Sequence, residues 1–78
     1  MVKTHELKIR TKYFPFVVSG AKSAEIRFNV RNYEVGDTLI LHEWTGTHYT
    51  GEYVVRVVTY VLPLNDFGFK KWVLICMK

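Results

Sequence analysis

Residues 4–10 alternate, with Leu7 and Ile9 on one face and Glu6, Lys8 and Arg10 on the other. Period two marks a half-buried strand. Residues 12–19 instead space Tyr13, Phe14, Phe16, Val17 and Val18 as a short helix would, with Thr11 as its candidate cap and Gly20 as its stop. Pro15 fits such a helix only in its first turn. Alternation returns over 24–29, where Ala24, Ile26 and Phe28 oppose Glu25, Arg27 and Asn29, so three polar side chains share one strand face. Val35-Gly36-Asp37 reads as a turn into a third strand at Thr38–Trp44, and residues 45–51 as a hairpin loop. Residues 52–62 are apolar on both faces apart from Glu52, Arg56 and Thr59, and 72–77 are wholly apolar. That pattern predicts two central or barrel-closing strands, joined through Pro63, Asn65, Asp66 and Gly68. The order β-α-β-β-β-β predicts a mainly β (α+β) fold: a small antiparallel pseudo-barrel of about five strands with one short helix, closed so that its sheet edges disappear.

Length restricts this picture to a single domain over 1–78. With 15% aromatic residues, most of the rings, Trp44 included, are expected inside the core. The longest apolar run, Trp72–Met77, is far short of the roughly 20 residues of a spanning helix, and the N-terminus has no leader pattern. Cys76 is the lone cysteine and has no intrachain partner for a disulfide or a structural zinc. These features predict a cytoplasmic protein with no membrane attachment.

Charge changes the picture more. The net charge is +4, but residues 1–31 carry seven Lys/Arg against two Glu, whereas residues 32–78 carry four against five acids. A localised basic region suits a polyanion partner, and it also suits an ordinary solvated surface. His5, His42 and His48 lack metal-ligand spacing, so no metal and no cofactor are expected. No GxSxG elbow or phosphate-cradling glycine loop occurs, and Cys76 lies in the most apolar strand, where a thiol is normally inert.

The informative segment runs from Gly20 through Lys22, Glu25, Arg27 and Asn29 to Arg31. It concentrates cations, an acid and an amide beside one cleft, although Glu25 paired with Lys22 or Arg27 could equally be a neutralising surface contact worth about 0–1 kcal/mol. This chain resembles the ASCH branch of the PUA-like superfamily, in particular a small group from bacteria and their phages. The resemblance is carried by His5-Glu6-Leu7-Lys8-Ile9, Tyr13-Phe14, Gly20-x-Lys22-x-x-Glu25-x-Arg27, Asn29-x-Arg31, Val35-Gly36-Asp37 and Glu43-Trp44, nearly the whole chain. Phe28 and Val30 stand where relatives often carry a basic and an acidic residue, which narrows the charged surface. The resemblance implies a barrel with a helix over one end and a cleft for RNA or a nucleotide.

On that reading Lys8, Arg10, Lys22 and Arg31 contact phosphates, Arg27 stacks on or forks to a base or phosphate, and Glu25 and Asn29 read base edges. Trp44 or Tyr60 would offer a stacking platform, with single-stranded or looped RNA favoured over duplex DNA. Some small ASCH proteins are instead amidohydrolases of acylated cytidine that use a lysine, a threonine and a distant glutamate. Their lysine corresponds to Lys22, but their threonine corresponds to Glu25, and Ser23 lies about 6.5 Å away along the strand. No catalytic residue is therefore assigned. A third class is a protein-interaction module whose basic cleft takes an acidic partner.

Overall fold

The period-two segments pair into one five-stranded sheet wrapped over an aliphatic core. The computed structural model describes residues 2–78. Its elements are β1 (Thr4–Arg10), α1 (Phe14–Ser19), β2 (Ala24–Phe28), β3 (Thr38–Trp44), β4 (Tyr49–Pro63) and β5 (Trp72–Met77), with a 3-10 turn at Asn65–Phe67 before the last strand. The strand order is β1-β3-β4-β5-β2. Alternation turns His5, Leu7 and Ile9 inward from β1; Leu7 and Ile9 join Leu39 and Leu41 of β3 and Val73, Ile75 and Met77 of β5 in the core, and His5 packs on Tyr33.

Two features of the expected antiparallel closed barrel are corrected. First, β1 and β3 are parallel, with Leu7 opposite Leu41. The connection between them passes through α1, β2 and the loop at 29–37, long enough for the crossover that parallel pairing requires. Second, the sheet does not close, because β1 and β2 remain its two edges. They curl towards each other since β4 bends: its first part pairs with β3 as far as Val57, and its last part pairs with β5 from Val58 onward. A bulge leaves Thr59 unpaired between Val58 and Tyr60, which passes the inward position from buried Val58 to Val61.

The helix is shorter than the spacing predicts. Tyr13 occupies its N-cap position without a side-chain bond, whereas Thr11 continues the strand pairing by donating its amide to Trp44 O at 3.1 Å. Six residues cannot sustain a helix alone; Phe14 and Val17, buried in the core, hold it. Arg56 Nη2 donates to the carbonyls of Val17 (2.9 Å), which also takes the Gly20 amide, and Val18 (3.2 Å), an acceptor of the helix end. The expected hairpin loop is also shorter: β4 starts at Tyr49, and the turn is closed by Thr45 N donating to His48 O. Tyr49 enters the strand because it pairs across from Trp44, and Gly51 supplies the positive φ of 97° that follows.

Asp37 anchors the turn into β3. Fully buried, it accepts from the amides of Lys3 (2.9 Å) and Glu34 (3.0 Å) and from His5 Nε2 (2.8 Å). Burial by itself raises the carboxyl pKa, but the His5 bond, the two amides and the Lys3 charge outweigh it and bring it to about 2.

The aromatic expectation is overturned. Nine of the twelve Phe, Tyr and Trp residues are exposed, and only Phe14 and Tyr33 are buried. Inward strand positions are filled by Leu, Ile, Val and Met, and so small an interior leaves little volume for rings. On β2 the apolar side chains Ile26 and Phe28 point outward, and Ile26, Leu64, Phe69 and Trp72 line a shallow apolar depression. Cys76, expected in the core, is half-buried between the inward positions Ile75 and Met77. Among the described residues, no helix is long and apolar enough to cross a membrane.

Candidate functional site

The seam between the two sheet edges is the principal cleft. A cavity of about 540 Å³, within the usual range for small-ligand sites, lies between Lys8, Ile9 and Arg10 of β1 and Ala24 to Arg27 of β2, with Tyr13 and Lys22 at its side. Local sequence explains each position. Outward alternation on β1 delivers Lys8 and Arg10, since their neighbours Leu7 and Ile9 are committed to the core. Gly20 ends α1 with φ 88°, a left-handed conformation that side chains disfavour, and the chain folds back so that Lys22 N donates to Phe16 O at 2.9 Å. Lys22 is thereby held at the mouth of the seam. On β2 the polar face turns inward: the Glu25 and Arg27 side chains are 11% and 26% exposed, while Ile26 is 59% exposed.

Glu25 lies between two cations. Lys22 Nζ donates to Glu25 Oε1 and to Ala24 O, and Arg27 Nη2 lies 3.2 Å from Glu25 Oε2. The same Arg27 nitrogen donates to Lys8 O at 2.6 Å, so one guanidinium bridges the unclosed edges of the sheet. Arg27 Nε is buried and has no hydrogen-bond partner among the described residues. Lys8 leans away over Trp44, with Nζ 4.2 Å from the ring centroid, and Lys22 Nζ lies 5.7 Å from the Tyr13 ring. Two cations thus bracket one carboxylate in a slot whose walls also carry Lys8 and Arg10, an arrangement that attracts an anion and lowers the repulsion among the cations when one enters.

The site residues expected from sequence fall into two groups. Lys8, Arg10, Lys22, Glu25 and Arg27 come together in the seam. Arg31 lines an adjoining depression with Tyr33, where burial pushes the Tyr33 phenol above its ordinary pKa against the pull of the Arg27 and Arg31 charges. Asn29 is occupied elsewhere: its Oδ1 accepts from Tyr33 N at 3.1 Å, and its backbone N–H donates to Lys71 O. Trp44 stands on the outer face of the sheet, joined to the cleft through Lys8, and Tyr60 is exposed on β4 beyond the bulge, outside the residues that line the seam.

Sequence reasoning did not assign Tyr13 to the site. No local signal marks it, because position 13 shares the face of Val17 four residues on, and only its place as the N-cap residue after β1 brings it to the seam. His5 is spent on Asp37, His42 Nε2 lies 2.9 Å from Glu6 Oε1, and His48 sits in the hairpin turn beside Thr45 and Thr47.

Comparison with known proteins adds a lineage. An uncharacterized 12.9 kDa protein in the GpA 3′ region of Escherichia phage P2 is 51% identical over 67 residues, which cover 86% of this chain and 62% of the phage protein. The chain spans about three fifths of that relative's length. The sequence model of a family described as a domain of unknown function, DUF3850, matches residues 4–76, from the first residue of β1 almost to the end of β5. With nearly every strand inside the match, the chain belongs to the DUF3850 family.

Proposed function

We propose that the seam binds the phosphate-bearing backbone of RNA, or a nucleotide, and that the domain is an RNA-binding module related to the ASCH branch of PUA-like proteins. The observation that carries this reading is the Arg27 guanidinium bridging both open sheet edges within a cleft that holds Lys8, Arg10 and Lys22. Arg presents a planar fork suited to phosphate or a base edge, Lys8 and Lys22 act as point charges, and Glu25 orients both Lys22 and Arg27. Tyr13 supplies an aromatic wall on which a base can lie. A slot between strands admits a splayed base of a single strand and offers no helix to a DNA major groove.

The test is an NMR titration of the labelled protein with short single-stranded RNA and with nucleotides at two salt concentrations. Amides from Lys22 to Arg27 are expected to shift, and binding should weaken with salt. Lys22→Ala should reduce the salt slope by about 0.7, the contribution of one phosphate contact on a single strand, and Arg27→Ala should weaken binding further, both with unchanged folding. Equal affinity in both variants would exclude the seam as the site.

A further inference from the structure

The seam continues past Arg27. Lys8 and Arg27 also line a second depression of about 320 Å³, whose walls include Arg31, Tyr33 and Tyr49. Glu6, Leu7 and Tyr49 of that depression line a third, of about 360 Å³, together with His42. Each depression shares walls with the next. The groove therefore follows β1 from Arg10 back to Glu6, roughly 13 Å at about 3.3 Å per strand residue, and then reaches the outer face of β3. That run is longer than one phosphate contact needs. Arg31 adds a cation along it, and the acid at its far end, Glu6, is engaged by His42.

Tyr49 ends the groove. It is 52% exposed, yet its ring is held edge-on by Trp44 at 4.8 Å and His42 at 5.9 Å between centroids. Such a ring loses little side-chain freedom when a flat ligand stacks on it, which makes it a better platform than an isolated surface tyrosine. Tyr53, also exposed, extends the cluster on the other side of His42. Basic side chains leading to a braced, half-exposed aromatic ring match the alternating charge and π-face of a nucleic-acid strand.

We propose that Tyr49, braced by His42 and Trp44, is a base-stacking subsite, so that the ligand of the groove is a single-stranded RNA spanning more than one nucleotide and not a mononucleotide. This rests on the seam being the phosphate-binding site. The test compares a random-sequence single-stranded RNA hexamer with a pool of the four ribonucleoside 5′-monophosphates, using wild type, Tyr49→Ala, Tyr49→Phe and Lys22→Ala. Tyr49→Ala should lower hexamer affinity about tenfold, the scale of one lost stacking contact, and leave monophosphate binding unchanged. Tyr49→Phe keeps the ring and should restore hexamer binding. If Tyr49→Ala binds the hexamer as wild type does while Lys22→Ala is weakened, the subsite is wrong and the seam reading stands. If Lys22→Ala is also unaffected, both fail. Displacement of the hexamer by poly-glutamate at equal concentration would assign the groove to an acidic protein partner and overturn the proposal.

Discussion

Asp37 and Glu25 are both acids drawn against cationic and amide-rich surroundings, but their settings differ. Asp37 is fully buried, and its donors are the Lys3 and Glu34 amides and the His5 ring, groups fixed by β1 and by the turn before β3. Glu25 keeps partial exposure, and its partners are the side chains of Lys22 and Arg27, which also line an open cleft. A carboxylate surrounded by backbone donors fixes the fold. One held between side-chain cations at the wall of a cavity sets the charge and position of groups that a ligand can meet.

The largest expected effect lies at Asp37. Asp37→Ala would leave the buried His5 ring and two partly buried amides without their acceptor, and should cost about 3 kcal/mol in urea denaturation at neutral pH. A loss below about 1 kcal/mol would remove the distinction between the two acids.

A pH series sharpens the same point. The Asp37 carboxyl titrates at about 2 when folded against 3.8 ordinarily, so its contribution is complete above about pH 4 and is lost as pH falls towards 2. Wild type should lose on the order of 2 kcal/mol across that window, whereas Asp37→Asn, which does not titrate, should lack this limb of the curve. Parallel curves for the two proteins would place the acid sensitivity elsewhere.

The smallest effect on stability is expected at Glu25. Glu25→Gln keeps one acceptor oxygen, and Lys22 and Arg27 retain the carbonyls of Ala24 and Lys8, so stability should change by less than about 1 kcal/mol. Removing the one acid from the cleft should instead raise affinity for a nucleoside monophosphate about threefold, the scale of one unit charge a few ångströms from a phosphate in a watery site. Isothermal titration of both proteins checks this, and unchanged or weaker binding would mean that Glu25 contacts the ligand directly.

Much of this architecture was legible locally. Alternation gave β1 and β3 with their observed ends, the apolar run gave β5, and Gly20 marked the end of the helix. The strand carrying Glu25 and Arg27 was also legible, but which side of it faces inward was not. A period-two pattern states that two faces differ, and an apolar face normally turns to the core. Here Ile26 and Phe28 face outward because β2 is an edge strand whose polar face looks across the seam to β1, so a distant strand decided the orientation. Asn29 shows the same limit at one residue: its spacing matches Glu25 and Arg27, but the chain leaves the strand after Phe28, and the carboxamide closes on Tyr33 N.

By itself, the sequence determined the strands, the short helix and the basic character of residues 1–31, because periodicity, capping and charge are set by neighbours a few residues apart. Only the tertiary structure decided that β1 runs parallel to β3, that the sheet stops short of closure, and that Lys8 and Arg27 meet across the gap. Those outcomes depend on the Thr59 bulge bending β4 and on pairings between residues far apart in the chain, and no local pattern encodes which edges are brought together.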